Sequence, residues 1–225
     1  MTTLTSYRGA FGHFFQQCVN GYHMLNTTPI KEGVWEEINA QVFRAAGCAV
    51  TSTASGSHAS GTDIQCALGA LSNKSVQYSD KTNTSFSLSS YRLTTVCSAA
   101  KKGVPADIVA EIKRRDNFDY YSVIARPADG IQYDWYLIPK TMLDAAAFTW
   151  EPMMGVRGAN AGDQVGWRTD VRNGIRMKIT FSMSSQLWID VGISPEIAAC
   201  KVAHAEVVAA RKQYSYIELA GLLGV

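Results

Sequence analysis

The first fifty residues place apolar side chains at helical spacing. The beginning of the chain carries one ionised side chain, Arg8, among several aromatic rings, which predicts a packed N-terminal helix or arm. A second helix is expected over residues 31–46, with Gly47 as its C-terminal stop. Its apolar stripe consists of Val34, Ile38, Val42 and Ala45. Glu37 lies at the border of this stripe, whereas Glu36 points away from it.

From Cys48 the hydrophobic period changes to two, which is typical of strands. Strands are predicted over Cys48–Thr53, Thr62–Leu68, Leu71–Tyr78 and Phe86–Cys97. The first two are separated by a loop, Ser55–Gly61, and the second and third are joined through Gly69 and Ala70. A connection this short suits antiparallel neighbours.

The second half of the chain mixes one clear helix with further strands. Pro105 opens a predicted helix over residues 105–116. Strands are predicted at Phe118–Arg126 and Ile131–Ile138, joined by a turn at Pro127–Gly130. The remaining elements are a glycine-rich irregular segment at 149–167, strands at Met177–Ser182 and Leu187–Val191, and a last helix at about 195–212. The tryptophans predicted to be core are Trp35, Trp135 and Trp188.

These elements fit one α+β domain over residues 1–225, with an α/β core in which helices flank a central mixed sheet. The length suits one large domain, and 47% hydrophobic residues suffice for a core, which excludes a disordered chain. No apolar run approaches about 18 residues, so neither a membrane-spanning helix nor a membrane partner is expected. The chain start lacks the order of a secretory signal, and a cytoplasmic protein is expected.

Charge and cysteine content narrow the class of protein further. A net charge of +2 argues against a histone-like binder that holds phosphate by bulk charge, but leaves room for a local basic groove. The five cysteines contain no CxxC pair, and the four histidines show no metal-ligand spacing. Reduced thiols are therefore expected, and a zinc site is not. His58 has no G-x-S-x-G elbow that would support acyl transfer.

Asp63 and the Ser72-Asn73-Lys74 segment carry the main candidate chemistry. If their strands pair antiparallel, Asp63 and Lys74 meet near a shared polar end, with Ser72 and Lys74 on one face. Asp63, with Glu37 on the nearby helix, would ligate a hard divalent cation, while Lys74 would orient or help deprotonate a water. The plainer interpretation is an exposed cross-strand ion pair, which contributes less than about 1 kcal/mol to stability.

The order of elements around these residues resembles the core of the PD-(D/E)XK nucleases. That core consists, in chain order, of a helix, a strand, a strand with the first Asp, a strand with the (D/E)XK tripeptide, a helix and a final strand. The elements predicted over about residues 31–140 follow the same order. Asp63 falls on the first acidic position and Lys74 on the lysine. The resemblance implies a restriction-endonuclease-like fold. As in small type II restriction enzymes, it also implies hydrolysis of double-stranded DNA with Mg²⁺, carried out by a homodimer.

Two positions depart from the family pattern. Thr62 stands in place of the motif's proline, which is a common replacement. Ser72 replaces the second acidic residue, which normally holds the metal. Some restriction enzymes carry Ser at this position and recruit a carboxylate from elsewhere. The resemblance implies the same here, with Glu37 as the first candidate and Glu36 as the second. Ser72 is either a catalytic residue in contact with the metal or only a strand hydroxyl.

A second group of polar residues lies within residues 149–191, which we expect to be the DNA-recognition region. Between Arg157 and Lys178 five cations are set against two acids, a local charge of +3. Arg reads guanine and Asn or Gln reads adenine in the major groove, so this composition suits base readout. The candidates are Arg157, Asn160, Gln164, Arg168, Arg172, Asn173, Arg176 and Lys178. Candidates for phosphate or sugar contacts are Ser89, Ser90, Tyr91 and Arg92.

Three functions remain open at this point. The leading one is a sequence-specific endodeoxyribonuclease of the restriction type. A structure-selective repair or recombination nuclease on the same core would need fewer base-reading side chains. A non-catalytic nucleic-acid-binding or phage-type structural protein would leave Asp63 and Lys74 without a chemical role. In that case the arginine-rich segment would be a solvated surface loop.

Overall fold

The computed structural model describes residues 4–53, 61–208 and 211–224. The helices are α1 (Leu4–Leu25), α2 (Glu32–Ala45), α3 (Pro105–Arg114), α4 (Pro195–Ala199) and α5 (Tyr216–Leu223). The strands are β1 (Val50–Thr53), β2 (Ile64–Cys66), β3 (Gly69–Gln77), β4 (Ser85–Arg92), β5 (Tyr120–Arg126), β6 (Gln132–Pro139), β7 (Trp150–Met154), β8 (Gln164–Thr169), β9 (Ile175–Thr180), β10 (Gln186–Gly192) and β11 (Lys201–Glu206). The strands form two sheets.

The first sheet is mixed and lies next to Asp63. Its strand order is β1-β2-β3-β5-β6-β11. β3 and β5 run parallel, and the other neighbouring pairs run antiparallel. A parallel pair needs a crossover connection, which here contains β4 and α3. β2 pairs with β3 only from Gly69 to Leu71, so among the described residues β3 has no strand partner on that side from Ser72 onward.

The second sheet is antiparallel, with the order β4-β10-β9-β8-β7. Its two faces differ, as is common for antiparallel sheets. The β9 side chains of Ile175, Met177 and Ile179 are buried, and they alternate with the exposed Arg176 and the half-buried Lys178. The chain enters this sheet from β3 through a turn. Asp80 stabilises the turn, because its carboxylate accepts hydrogen bonds from three of the next five residues.

Two apolar clusters hold the layers together. One lies between the two sheets and includes α3, and the other lies between the first sheet and helices α1 and α2. In the second cluster Trp135 of β6 packs against four rings at centroid distances of 5.0–5.8 Å. These rings belong to Phe11, Phe15, Trp35 and Phe43. Aromatic rings attract each other at such distances, so this packing fixes α2 on one face of the first sheet.

The elements predicted before residue 140 are present. The helices expected at 31–46 and 105–116 are α2 and α3, and the six strands expected from Cys48 to Ile138 are β1 to β6 with shifted ends. The α+β class with a mixed central sheet and flanking helices is confirmed. All but the last residue of the expected loop Ser55–Gly61, including His58, lies outside the described residues. Within the described ranges, no helix combines the length and apolarity needed to cross a bilayer.

The prediction of an irregular segment at 149–167 is wrong. These residues form β7 and the first part of β8, joined by a glycine-rich loop. Pro152 and Gly166 interrupt the period-two pattern and hide both strands in the sequence. At Gly166 a Cβ atom would lie 2.1 Å from the Ile179 carbonyl oxygen of β9, so the close strand pairing requires glycine there.

The predicted C-terminal helix at 195–212 is also wrong. α4 ends at Ala199, and the next residues form β11, which pairs with β6. The small apolar side chains of this segment match helical spacing, but Val202, Ala203 and Ala205 are buried against the first sheet instead. The free edge of β6 therefore decides the conformation, because tertiary pairing outweighs the helix propensity of alanine.

Candidate active site

Asp63 lies just before β2, next to Ser72 of β3, and its carboxylate is held by that strand. The Asp63 N–H donates to the Leu71 carbonyl over 2.8 Å, and its Oδ2 accepts from the Asn73 N–H over 2.5 Å. The Ser72 hydroxyl also donates to this carboxylate. Asp63 is therefore fixed at the point where β3 loses its strand partner.

Lys74 lies on the same face of β3 as Ser72. Its ammonium group forms an ion pair with Glu32, the first residue of α2, and its side chain is 17% exposed. Burial raises the pKa of Asp63, and the positive charge of Lys74 opposes this rise. Asp63 and Lys74 thus lie within electrostatic reach of each other, which the proposed chemistry requires.

The helix carboxylate that interacts with Asp63 is Glu36 and not Glu37. Burial raises the pKa of Glu36, and the negative charges of Asp63 and Glu32 raise it further. Glu37 is exposed and accepts a hydrogen bond from Gln41 on the outer side of α2. Of the two candidate glutamates, Glu36 is therefore the one whose charge is coupled to Asp63, and Glu37, the first candidate, lies in solvent beside Gln41.

The different surroundings of the two glutamates follow from a rotation of the buried face of α2 relative to the predicted stripe. Asn39 and Phe43 are buried, whereas Ala45 of the predicted stripe is exposed. Successive helix residues are about 100° apart, so the rotation moves Glu36 to the border of the buried face and Glu37 into solvent. The sequence pattern missed it because asparagine was not counted as a core residue.

Three carboxylates and one ammonium group share this region: Glu32, Glu36, Asp63 and Lys74. The pKa of Asp63 is raised by burial and by Glu32, although the hydrogen bond from Asn73 and the charge of Lys74 lower it. A raised pKa means that the protein alone disfavours the charged form of the carboxyl group. A cation bound beside these carboxyl groups would offset this cost.

The oxygen donors fit a magnesium ion without forming a complete cage. Among the residues in the described ranges, no group of three or more His, Cys, Asp or Glu side chains is placed to hold a metal. Mg²⁺ usually binds one or two carboxylates, and waters and substrate phosphates complete its octahedral shell. Asp63 and Glu36 supply such a pair of hard oxygen donors. The residues present therefore fit an ion that binds together with a phosphate-bearing substrate.

Three of the cations predicted to contact DNA share the outward face of the second sheet, which we call the open face. Arg168 of β8 pairs with Glu151 over 2.7 Å, and Lys178 of β9 pairs with Asp190 over 2.8 Å. Arg176 of β9 is exposed and has no acidic partner among the described residues. One cross-strand row spans the whole sheet and consists of Ser89, Trp188, Lys178, Arg168 and Glu151. The open face is therefore polar, and Arg176 is a cation on it that no acidic side chain of the described residues neutralises.

The predicted contact residues in the loops around this sheet have different surroundings. Arg157 and Asn160 are exposed between β7 and β8. Asn173 is exposed in the turn before β9, where its φ is +49°. Arg172 forms an ion pair with a neighbouring aspartate, and Gln164 donates to a backbone carbonyl. Arg157, Asn160 and Asn173 are thus the most accessible of these side chains.

On β4 the four predicted contact residues divide into two groups. Ser89 belongs to the open face, and Arg92 is exposed. The Ser90 hydroxyl shares a 2.5 Å hydrogen bond with the Tyr121 hydroxyl, and the Tyr91 hydroxyl accepts from a lysine ammonium group over 2.6 Å. Ser90 and Tyr91 are therefore engaged by contacts within the protein.

Trp188 lies on the open face and is 40% exposed, so its predicted place in the core is wrong. Its chain neighbours Leu187 and Ile189 are buried. In a strand, alternate side chains point to opposite faces, and this period places Trp188 opposite to its two neighbours. The alternation in Leu187-Trp-Ile-Asp-Val191 was the signal that would have identified it.

Comparisons of this chain with protein-family models, with curated proteins and with solved structures give no match. The function is therefore argued from the residues of the site and from the order of the elements that hold them.

Proposed function

We propose that this chain is a sequence-specific endodeoxyribonuclease that hydrolyses double-stranded DNA with Mg²⁺, as type II restriction enzymes of the PD-(D/E)XK superfamily do. The observation that supports this most strongly is the convergence of Asp63, Glu36 and Lys74 beside the unpaired edge of β3. Phosphodiester hydrolysis needs carboxylates for a metal ion and positive charge for the phosphate. This small region supplies both.

The order of elements also supports the proposal. α2, β1, β2, β3, α3 and β5 follow each other as in the family core, and their four strands are neighbours in one sheet. β4 is inserted between β3 and α3 and belongs to the second sheet. The insertion leaves β3 between β2 and β5, so the surroundings of the catalytic strand are kept.

Each residue of the site has a separate role in the proposed reaction. A bound Mg²⁺ lowers the pKa of a water ligand and stabilises negative charge on the scissile phosphate. Asp63 and Glu36 hold the ion, and Ser72 orients the Asp63 carboxylate through its hydroxyl. Lys74 donates to the phosphate oxygens as their charge grows, or orients the attacking water. Glu32 keeps the ammonium group of Lys74 in place.

The open face supplies the proposed DNA contacts outside the active site. Cations such as Arg176 bind phosphate, and an exposed ring such as Trp188 stacks on a base or packs on a sugar. The exposed Arg157 and Asn160 carry the donor groups that read base edges. Base-reading side chains favour a sequence-specific nuclease over a structure-selective one.

We further propose a homodimer, because a two-fold symmetric protein matches a palindromic DNA site. Sedimentation velocity with and without a DNA duplex measures the state of assembly. A monomer under both conditions would contradict the dimer but not the proposed chemistry.

Plasmid cleavage with Mg²⁺ tests the proposed function. Discrete fragments support a restriction enzyme, a smear or a preference for branched DNA supports a repair nuclease, and intact DNA at every metal concentration supports a non-catalytic binding protein. Asp63→Ala and Lys74→Ala should abolish cleavage while DNA binding in a gel shift persists. Lys81→Ala, which changes an exposed lysine, is the matched control and should cleave normally. Full activity of either site variant would overturn the assignment.

A further inference from the structure

A buried pair of amides connects α2 to the catalytic strand. Asn39 of α2 and Asn73 of β3 are both 0% exposed. The Asn39 Nδ2 group donates to the Asn73 side-chain oxygen and, over 2.7 Å, to the Ser122 hydroxyl of β5. A helix and two neighbouring strands are therefore joined by hydrogen bonds in the interior.

Two tryptophans extend this network. Trp135 of β6 donates from Nε1 to the Ser122 hydroxyl over 2.9 Å, and Trp35 of α2 donates to the Ser122 carbonyl over 3.0 Å. Hydrogen bonds are directional, whereas apolar contacts fix the register of a helix on a sheet less strictly. The network therefore specifies both the rotation of α2 and its position along β3.

The amide pair does not stabilise the fold efficiently. Asn39 Oδ1 and Asn73 Nδ2 have no hydrogen-bond partner among the described residues. Burial of a polar atom without a partner disfavours the folded state. Two apolar residues of similar size would make a more stable contact between α2 and β3. Stability alone therefore does not account for the two asparagines.

Both asparagines lie next to residues of the proposed site. Asn73 directly precedes Lys74, and its backbone N–H holds the Asp63 carboxylate. Asn39 follows Glu36 by three residues, or about one helical turn. A shift of α2 along β3 would therefore change the separation of Glu36 from Asp63.

We propose that Asn39 and Asn73 are positioning residues that set the distance between the two carboxylates of the metal site. This inference rests on the proposed function, because Asp63 and Glu36 act as a pair only where they hold a cation. The amide link keeps α2 in one register on β3. Without the link the fold persists, but Glu36 is free to move relative to Asp63.

Leucine replacements separate positioning from stability. Asn39→Leu or Asn73→Leu alone leaves the other amide without its partner and should lower the midpoint of urea denaturation. The double variant Asn39→Leu/Asn73→Leu removes both amides and should regain most of this loss. Its affinity for Mg²⁺, measured by isothermal titration calorimetry, should nevertheless stay at least about tenfold below that of the wild type. Plasmid cleavage should then need correspondingly more Mg²⁺.

Tyr78→Phe is the matched control. Tyr78 follows the last residue of β3, and its buried hydroxyl donates a hydrogen bond to Asp134. Loss of this hydroxyl should leave the Mg²⁺ affinity unchanged. If the leucine variants do not fold, Asn73→Ala tests the same link, because it keeps the backbone N–H that holds Asp63. Its Mg²⁺ affinity should fall in the same direction.

Two results would overturn the inference in distinguishable ways. A folded double variant, or a folded Asn73→Ala protein, with wild-type affinity for Mg²⁺ would remove the positioning role and leave the proposed function intact. A wild-type protein that binds no Mg²⁺ and leaves plasmid DNA uncut would remove both.

Discussion

Glu36 on α2 and Asp63 beside β2 hold like charges in a half-buried region. Burial raises the pKa of both carboxyl groups, and the negative charge of Asp63 adds to the rise at Glu36. The hydrogen bond from the Asn73 N–H keeps Asp63 in this place despite the electrostatic cost. Burial thus disfavours the charged form of both carboxyl groups.

Asp63→Asn should stabilise the metal-free protein at neutral pH, by about 0.5–2 kcal/mol in the free energy of unfolding. The amide keeps an acceptor for the Asn73 N–H but removes the charge. Because the folded pKa of Asp63 lies above the unfolded one, the wild type gains stability as pH falls through the folded pKa. The gain in stability of Asp63→Asn over the wild type is thus complete above the pKa of Asp63 in the folded protein. It disappears below the ordinary carboxyl pKa of about 4, which applies to the unfolded chain.

Urea denaturation at neutral and at acid pH measures this difference. Asp163→Asn, at an exposed aspartate between β7 and β8, is the control and should show no comparable gain at neutral pH. A gain of equal size in both variants would contradict the electrostatic explanation.

Mg²⁺ should reverse the order of stability. A ligand that binds only the folded state stabilises it by about 2.7 kcal/mol at a concentration of 100 times Kd. The wild type should therefore melt at a higher temperature with Mg²⁺ and return to its starting value with a chelator, while Asp63→Asn should respond weakly. Thermal denaturation monitored by circular dichroism measures both shifts. Equal shifts in the two proteins would place the ion elsewhere.

Glu36→Gln and Glu37→Gln test which helix carboxylate takes part in cleavage. The two changes are isosteric and adjacent on α2, but only Glu36 interacts with Asp63. Glu36→Gln should lower the cleavage rate on the order of 10²–10³-fold, as expected when a group that stabilises the transition state is lost. Glu37→Gln should cleave at the wild-type rate, and the opposite ranking would restore Glu37 as the ligand.

At Mg²⁺ concentrations below Kd, cleavage should fall on acidification at a pH above the ordinary carboxyl range. Asp63 and Glu36 must be ionised to hold a cation, and burial raises the pKa of both. Glu32 adds to both rises through its negative charge. Glu32→Gln should therefore move the acid limb of the kcat/KM profile to lower pH. Because Glu32 also pairs with Lys74, the maximal rate is free to change without altering this expectation. A limb that stays in place or moves to higher pH would exclude these carboxyl groups as its origin.

Two open-face variants should weaken DNA binding in different ways. Arg176→Ala should reduce the slope of log K against log salt by about 0.9, the value for one lost phosphate contact. Trp188→Ala should leave this slope unchanged. It should weaken the free energy of DNA binding by about 1–3 kcal/mol, the contribution of an aromatic ring that stacks on a base. Fluorescence anisotropy over a salt series without Mg²⁺ measures both quantities. Met183→Ala, which changes a 96% exposed side chain between β9 and β10, is the control.

The sequence predicted well those parts of the fold in which hydrophobic period and local stop signals agree. α2 and α3 have a clear stripe with Gly47 or Pro105 at one end, and β5 and β6 are dense in buried apolar residues. Prediction from the sequence failed where pairing with a distant strand decides the conformation. β11 forms because β6 has a free edge, and β7 and β8 pair through positions occupied by Pro152 and Gly166.

The candidate site was predictable in its strands but not in its helix. One short antiparallel pair brings Asp63 within electrostatic reach of Lys74, which follows from their spacing, although the ion-pair partner of Lys74 is Glu32. Glu36 depends on the rotation of α2, and that rotation is set by the buried Asn39. A polar residue that is buried for its hydrogen bonds leaves no trace in a hydrophobic pattern. For this reason the pattern ranked Glu37 ahead of Glu36, the glutamate that is coupled to Asp63.

β3 is without a strand partner on one side from Ser72 to Gln77, as far as the described residues extend. Beyond Asn73, whose N–H donates to Asp63, such an edge is able to pair with an extended chain, including a second molecule of the same protein. Lys74 places a charge beside this edge, and charged side chains hinder edge-to-edge aggregation. We therefore expect Lys74, the lysine proposed to act in cleavage, also to oppose aggregation through this edge. A Lys74→Ala enzyme should therefore be assayed in dilute solution, so that lost catalysis is not confused with precipitation.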